Sequence, residues 1–178
     1  MYYIFCILSK GNILDADTAR FPKIGSATAV LNKKTVTLEP NKVTEAQGCE
    51  HPAINRKFTG RKYEFTYVIG WLESLNKSCP FANALTKVNL ETGETLAWRG
   101  TEFCYPSEAV FIPRTPPILD EVCAEDDGII VASVTNVLPD EKDFLIFLDA
   151  RTMSEIGRAM FDESIPFASH AYLAKYDV

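Results

Sequence analysis

The sequence predicts an all-β protein assembled from recurring hairpins. Three observations carry that prediction. Ten prolines and nine glycines cut the chain at strand-like intervals, the pattern of an all-β fold. No amphipathic helical period persists beyond a couple of turns. One hairpin pattern also recurs: Val30-Leu31-Asn32-Lys33-Lys34-Thr35-Val36, Val88-Asn89-Leu90-Glu91-Thr92-Gly93-Glu94 and Leu148-Asp149-Ala150-Arg151-Thr152-Met153-Ser154-Glu155. Each is an apolar strand that ends in Asn or Asp, a turn containing Thr, and a return. A supersecondary unit repeated about every sixty residues points to propeller blades of four strands. Three such units are too few for a closed propeller of about four to eight blades, so the chain is expected to be part of a larger closed structure.

Taken in order, residues 2–8 form an apolar run that reads as a strand. The run lacks a basic flank and a small-residue cleavage site, and it is too short to cross a bilayer. Residues 10–23 are polar and read as loop. An apolar run over 27–31, a turn at Asn32-Lys33-Lys34 and a return over 35–38 predict a hairpin closed by Pro40. Residues 41–61 are polar and punctuated by Gly48, Pro52 and Gly60, and read as irregular. The aromatic and β-branched run 63–71 is a strand. Residues 85–90 and 95–98 flank the turn Glu91-Thr92-Gly93-Glu94 as a second hairpin. Pro106-Ser107-Glu108 introduces a strand over 109–112 that stops at Pro113, and 114–121, with Pro116 and Pro117, is loop.

The longest ordered pattern covers residues 124–159. The acidic turn Glu125-Asp126-Asp127-Gly128 launches the apolar run 129–134, and a polar break leads to a second run over 144–148. Both runs are apolar at nearly every position, which predicts packing on both faces. In the turn, Asp starts the bend and Gly128 takes the positive φ. A short helix is expected over 162–165.

Composition narrows the function classes. A net charge of -6 and a pI near 5.0 argue against a nucleic-acid partner. The scattered cations give no polybasic membrane patch. Cys6, Cys49, Cys79, Cys104 and Cys123 are odd in number, widely spaced and lack a Cys-x-x-Cys. They read as reduced thiols of a cytoplasmic protein. Asn76-Lys77-Ser78 has the form of a glycosylation acceptor and is read as chance in the absence of a secretion signal. The sequence contains no Gly-x-Ser-x-Gly and no Gly-rich phosphate loop. Asp126-Asp127-Gly128 resembles half of a calcium loop, but the spaced ligands and the closing Glu do not follow. The two histidines, His51 and His170, are too few for a multi-histidine metal site within this chain. His51 reads as a surface or loop histidine, with no carboxylate or cysteine near it at metal spacing.

Several segments, in order, resemble the C-terminal part of the carotenoid cleavage oxygenases, which include carotene-cleaving enzymes and the retinal pigment epithelium isomerohydrolase. They are Glu50-x-Pro52-x-Ile54-Asn55, residues 63–70, Lys87-Val88-Asn89-Leu90-x-Thr92 and Pro106-Ser107-Glu108-x-Val110-Phe111. Then come Glu125-Asp126-Asp127-Gly128-Ile129, Phe144-Leu145-Ile146-Phe147-Leu148-Asp149-Ala150, Glu155-Ile156-x-Arg158-Ala159, Ile165-Pro166 and His170. Residues 30–172 match best and 1–29 poorly, within a single segment 1–178. The resemblance implies the last blades of a seven-bladed β-propeller. It also implies one Fe(2+) per full-length chain, held on the propeller axis by four histidines, with outer glutamates accepting hydrogen bonds from the ligating imidazoles.

By motif, His170 falls on the fourth iron ligand, and Glu108 and Glu50 on outer glutamates, with Glu108 expected to orient His170. Ala171 stands where the family usually has Gly. The three other iron histidines belong to parts upstream of this chain. The implied activity is cleavage of a conjugated double bond of a carotenoid or apocarotenoid with dioxygen. The fragment alone is expected to be inactive and to retain no iron, and any peripheral membrane association would come from parts not present here. Two other readings stay open. One is a non-catalytic propeller segment that binds partners through exposed edges; the other is the isomerohydrolase branch, acting on retinoid esters.

Overall fold

The structure, a computed structural model, describes residues 27–31, 34–38, 47–71, 82–101, 103–114 and 123–174. The expected strand over 2–8, the loop over 10–23 and the sequon at Asn76 lie outside the described residues. Every regular element described is a strand except one 3-10 turn.

β1 (Ala27–Leu31) and β2 (Lys34–Leu38) form an antiparallel hairpin, with Leu31 opposite Lys34. A four-stranded antiparallel sheet follows in the order β3 (Gln47–Ala53), β4 (Phe65–Trp71), β5 (Ala84–Asn89), β6 (Thr95–Arg99). A second antiparallel sheet repeats this plan. Its first position is shared by β7 (Cys104–Pro106) and β8 (Val110–Pro113), which pair end to end along one edge of β9 (Gly128–Asn136). β10 (Phe144–Asp149) and β11 (Glu155–Met160) complete it. The predicted hairpins therefore stand. Two expectations do not: the irregular stretch 41–61 contains β3 and a 3-10 turn at Arg56–Phe58, and 162–165 is not helical.

Two of the three recurring turns share one atomic arrangement; the first, at Asn32-Lys33, lies outside the described residues. Asn89 Oδ1 accepts from the amides of Glu91 and Thr92, and Asp149 Oδ1 accepts from those of Arg151 and Thr152. In each turn the Thr hydroxyl then receives the amide two residues on, that of Glu94 or Ser154. In each, the fifth residue is left-handed, at φ 78° for Gly93 and 57° for Met153. These side chains satisfy turn amides that the ladder leaves over, which is why Asn, Asp and Thr recur there.

The two sheets share one apolar core. Tyr67, Ile69 and Leu85 of the first meet Phe111, Ile130, Phe144, Ile146 and Leu148 of the second, and the Tyr67 and Phe111 rings stack at 5.5 Å. Burying each large apolar side chain stabilises the fold by about 1.5–3 kcal/mol. The first sheet is also packed on its other side by Val68, Val88 and Leu90. The two-faced packing expected for 129–134 and 144–148 thus belongs to β4 and β5 instead. In β9 and β10 burial alternates, with Ile130, Ala132, Val134, Phe144, Ile146 and Leu148 inside and their neighbours half-exposed. Among the described residues, only one face of that hairpin has a layer against it.

Candidate metal centre

Three separate segments converge on one point, and each is aimed there by a local irregularity. The first is the junction of β7 and β8. Pro106 lies opposite Val134 and Val110 opposite Val131, so four steps on one strand face three on the other. That is a β-bulge, and bulges re-aim side chains. Glu108 sits in it. Buried Ser107 fixes the bulge: its amide donates to Ser133 O at 2.8 Å, and its Oγ accepts from the Ser133 amide at 3.1 Å. The Ser133 hydroxyl lies 2.9 Å from the same Oγ.

The second irregularity is in β3, whose register with β4 shifts on both sides of Glu50. His51 follows at φ 49°. A non-glycine residue in the left-handed region is uncommon, and such residues cluster at functional sites.

The third segment, 161–173, is held without regular structure. Buried Asp143 accepts the Asn136 amide on Oδ1 and the Ile165 amide on Oδ2, both at 2.8 Å, and its carbonyl takes the Phe161 amide at 2.9 Å. Further along, the Arg56 guanidinium lies 5.1 Å from the Tyr172 ring centroid. Between these anchors stands His170.

At the meeting point, Glu108 Oε2 lies 3.3 Å from His170 Nδ1 and accepts the Ala171 amide at 2.9 Å. The Glu108 side chain is 22% exposed and that of His170 79%. A carboxylate on Nδ1 favours the tautomer that leaves Nε2 free as a metal donor. The His51 ring stands edge-on to that of His170, with centroids 4.9 Å apart. One donor atom from each of His51, Glu108 and His170 lies within 4.8 Å of the others. His51 is therefore not a remote loop histidine: a strand carries it to a carboxylate and a second imidazole. No linear spacing signals this, because the three residues are 57 and 62 positions apart in sequence. Glu50, opposite Ile69 in β3, is not part of the cluster.

The acidic turn serves a different purpose. Asp126 pairs with buried Lys87 at 2.7 Å, and Asp127 pairs with Arg114 at 2.7 Å and Arg151 at 3.3 Å. Glu125 Oε1 accepts the Glu64 and Phe65 amides. The hydrogen bond from Arg114 holds the Asp127 carboxyl below its ordinary range. Glu125 and Asp126 tie the two sheets together, and Asp126 and Asp127 are paired with cations of the protein itself.

A sequence profile of the family described as retinal pigment epithelial membrane protein (RPE65) matches residues 12–173. This chain is a member of that family, the carotenoid cleavage oxygenases. Among its relatives, a beta,beta-carotene 15,15'-dioxygenase of Gallus gallus is 34% identical over 137 residues, which are 75% of this chain and 23% of the relative. The chloroplastic carotenoid cleavage dioxygenase 8 homolog A of Oryza sativa subsp. japonica is 32% identical over 151 residues, 85% of this chain and 24% of the relative. This family member thus spans about a quarter of the length of the curated relatives it matches.

Solved structures agree on the fold. Cobalt-substituted apocarotenoid oxygenase of Synechocystis superposes with a TM-score of 0.63 at 23% identity, over 76% of this chain and 28% of that one. An apocarotenoid oxygenase/RPE65 chimera gives 0.63 at 19%, over 78% and 27%. The two antiparallel sheets of this carotenoid-oxygenase segment are accordingly blades of a partial β-propeller.

Proposed function

We propose that this chain is the C-terminal propeller segment of an iron-dependent carotenoid oxygenase and that His170 is one of the iron-binding imidazoles. The observation that carries the reading is the contact of Glu108 Oε2 with His170 Nδ1 at 3.3 Å, in a chain of this family. The donor chemistry fits an Fe(II) ligand. Imidazole suits iron, and a carboxylate on the remote ring nitrogen makes it a better donor. Glu108 has two tasks here. It accepts the hydrogen bond from Nδ1–H, and by accepting the Ala171 amide at 2.9 Å it fixes the backbone next to the ligand. Asp143 holds the start of the same segment. The chemistry iron supplies when bound is activation of dioxygen for cleavage of a conjugated double bond of a carotenoid or apocarotenoid. Glu50 is assigned as a second outer glutamate, serving a histidine from outside this chain.

The sequence holds two histidines in all, so four-imidazole ligation requires donors from a longer polypeptide. Two measurements test the proposal. The isolated chain, incubated with Fe(II), dioxygen and β-carotene, is expected to give no cleavage product; turnover there overturns the fragment reading. In a chimera, this chain replaces the matched segment of the Gallus gallus dioxygenase. It is expected to cleave carotenoid, to lose activity with His170→Ala, and to lose about 10–100-fold with Glu108→Ala, the usual cost of removing an outer partner of a metal-bound histidine. A folded, iron-loaded chimera that leaves carotenoids intact but rearranges retinyl esters assigns the isomerohydrolase branch instead.

A further inference from the structure

We propose that His51, His170 and Glu108 form a two-histidine, one-carboxylate site that binds a single divalent transition-metal ion within this chain. The site stands on geometry and does not rest on the oxygenase reading. It differs from a four-imidazole centre in taking a carboxylate as a direct ligand and in using His51, which matches none of the family's iron histidines.

Three observations carry the proposal. The donor atoms of the three residues already lie within 4.8 Å of one another. Donors around a tetrahedral ion at about 2.0–2.2 Å stand roughly 3.3–3.6 Å apart, so closure needs a movement of little more than 1 Å. The His170 side chain is 79% exposed, so a ring rotation of that size displaces few packed atoms. The second observation is the backbone of His51. Its φ of 49° and the shifted register before and after Glu50 direct the imidazole toward His170, and the edge-on ring contact at 4.9 Å results. The third is chemical. Two neutral imidazoles and one carboxylate give a complex of net charge +1, and this donor set suits zinc, cobalt and iron(II) rather than calcium or magnesium. In the metal-bound form of this chain by itself Glu108 turns from the His170 Nδ1 to the ion, whereas in a four-imidazole centre of a longer polypeptide it stays on Nδ1.

The test uses the 178-residue chain with Zn(II) and Co(II) at neutral pH. Isothermal titration is expected to give one Zn(II) per chain, and Co(II) to develop visible d–d absorption that Zn(II) bleaches. His51→Asn keeps a residue that tolerates the left-handed backbone and is expected to weaken Zn(II) binding at least tenfold. His170→Ala, at an exposed position, is expected to do the same without changing the circular dichroism. Glu108→Gln is expected to weaken binding and alter the Co(II) spectrum. Absence of saturable binding overturns the proposal. So does binding abolished by His170→Ala but untouched by His51→Asn. The carotenoid readout of the chimera is independent of both outcomes.

Discussion

At the residue scale, Gly128 shows how a small side chain can be required without an unusual backbone. It begins β9, and its φ is not in the left-handed region, which among described glycines is occupied by Gly60 and Gly93. The sequence expectation of a positive φ is therefore corrected. What Gly128 provides is room. A Cβ there would lie 2.3 Å from the carbonyl oxygen of Ile112 and 2.8 Å from Phe111 Cζ. Gly128→Ala is expected to destabilise the protein by about 1–3 kcal/mol, the cost of overpacking, measured by urea denaturation. Gly157→Ala, with nothing within 4 Å of the new Cβ, should stay within about 0.5 kcal/mol of the parent. Asp127 gives a pH prediction. The Arg114 hydrogen bond lowers its folded-state pKa, so between the folded and unfolded values the unfolded chain binds more protons. Its contribution is complete above the unfolded value of about 3.9 and is lost as pH falls through the lower folded value. Asp127→Asn is expected to lower Tm at pH 7 and to flatten the decline of Tm below about pH 4, as read by differential scanning fluorimetry.

At the scale of elements, irregular segments are held as firmly as strands where a buried polar side chain supplies the missing partners. The segment 161–173 belongs to no strand, yet Asp143 caps it through the Ile165 amide while holding Asn136 across the loop. Removing the carboxylate strands two amides in a part-buried setting, each costing about 1–3 kcal/mol. Asp143→Ala is expected to destabilise the fold by about 2–6 kcal/mol and to speed hydrogen exchange at the Ile165 amide more than at those of β9. A purely global effect, equal at all amides, would remove Asp143 from the role of positioning the His170 segment.

At the scale of the molecule, two blades share a core, and among the described residues the second sheet keeps one half-covered face and an edge at β11 with no further strand on it. β11 pairs only with β10 among the described residues, and it carries Ile156 and Met160 at 61% and 52% exposure. An unpaired edge with exposed apolar residues is a template for strand addition. The isolated chain is expected to self-associate with rising concentration, and Ile156→Lys to shift it toward monomer, as followed by size exclusion with light scattering. An unchanged distribution would place the contact elsewhere. In a closed propeller a further blade would lie against the half-covered face of β9 and β10.

Local chemistry alone determined much of this protein. Apolar and β-branched runs, Pro and Gly stops, and the Asn or Asp and Thr of the recurring turn specify hairpins, because the hydrogen bonds of the turns span a few residues. The family resemblance, and not local chemistry, pointed to Glu108 and His170, whose side chains meet at 3.3 Å. The tertiary structure decided the rest. It made a strand of residues 47–53 despite Gly48 and Pro52, because pairing with β4 outweighs weak local preference. It decided which face of β9 and β10 is buried, since that depends on what lies alongside. Above all, it brought His51 to Glu108 and His170. That proximity arises from two register shifts, a bulge and a tail anchored by Asp143, and none of these is written in the spacing of two histidines along the chain.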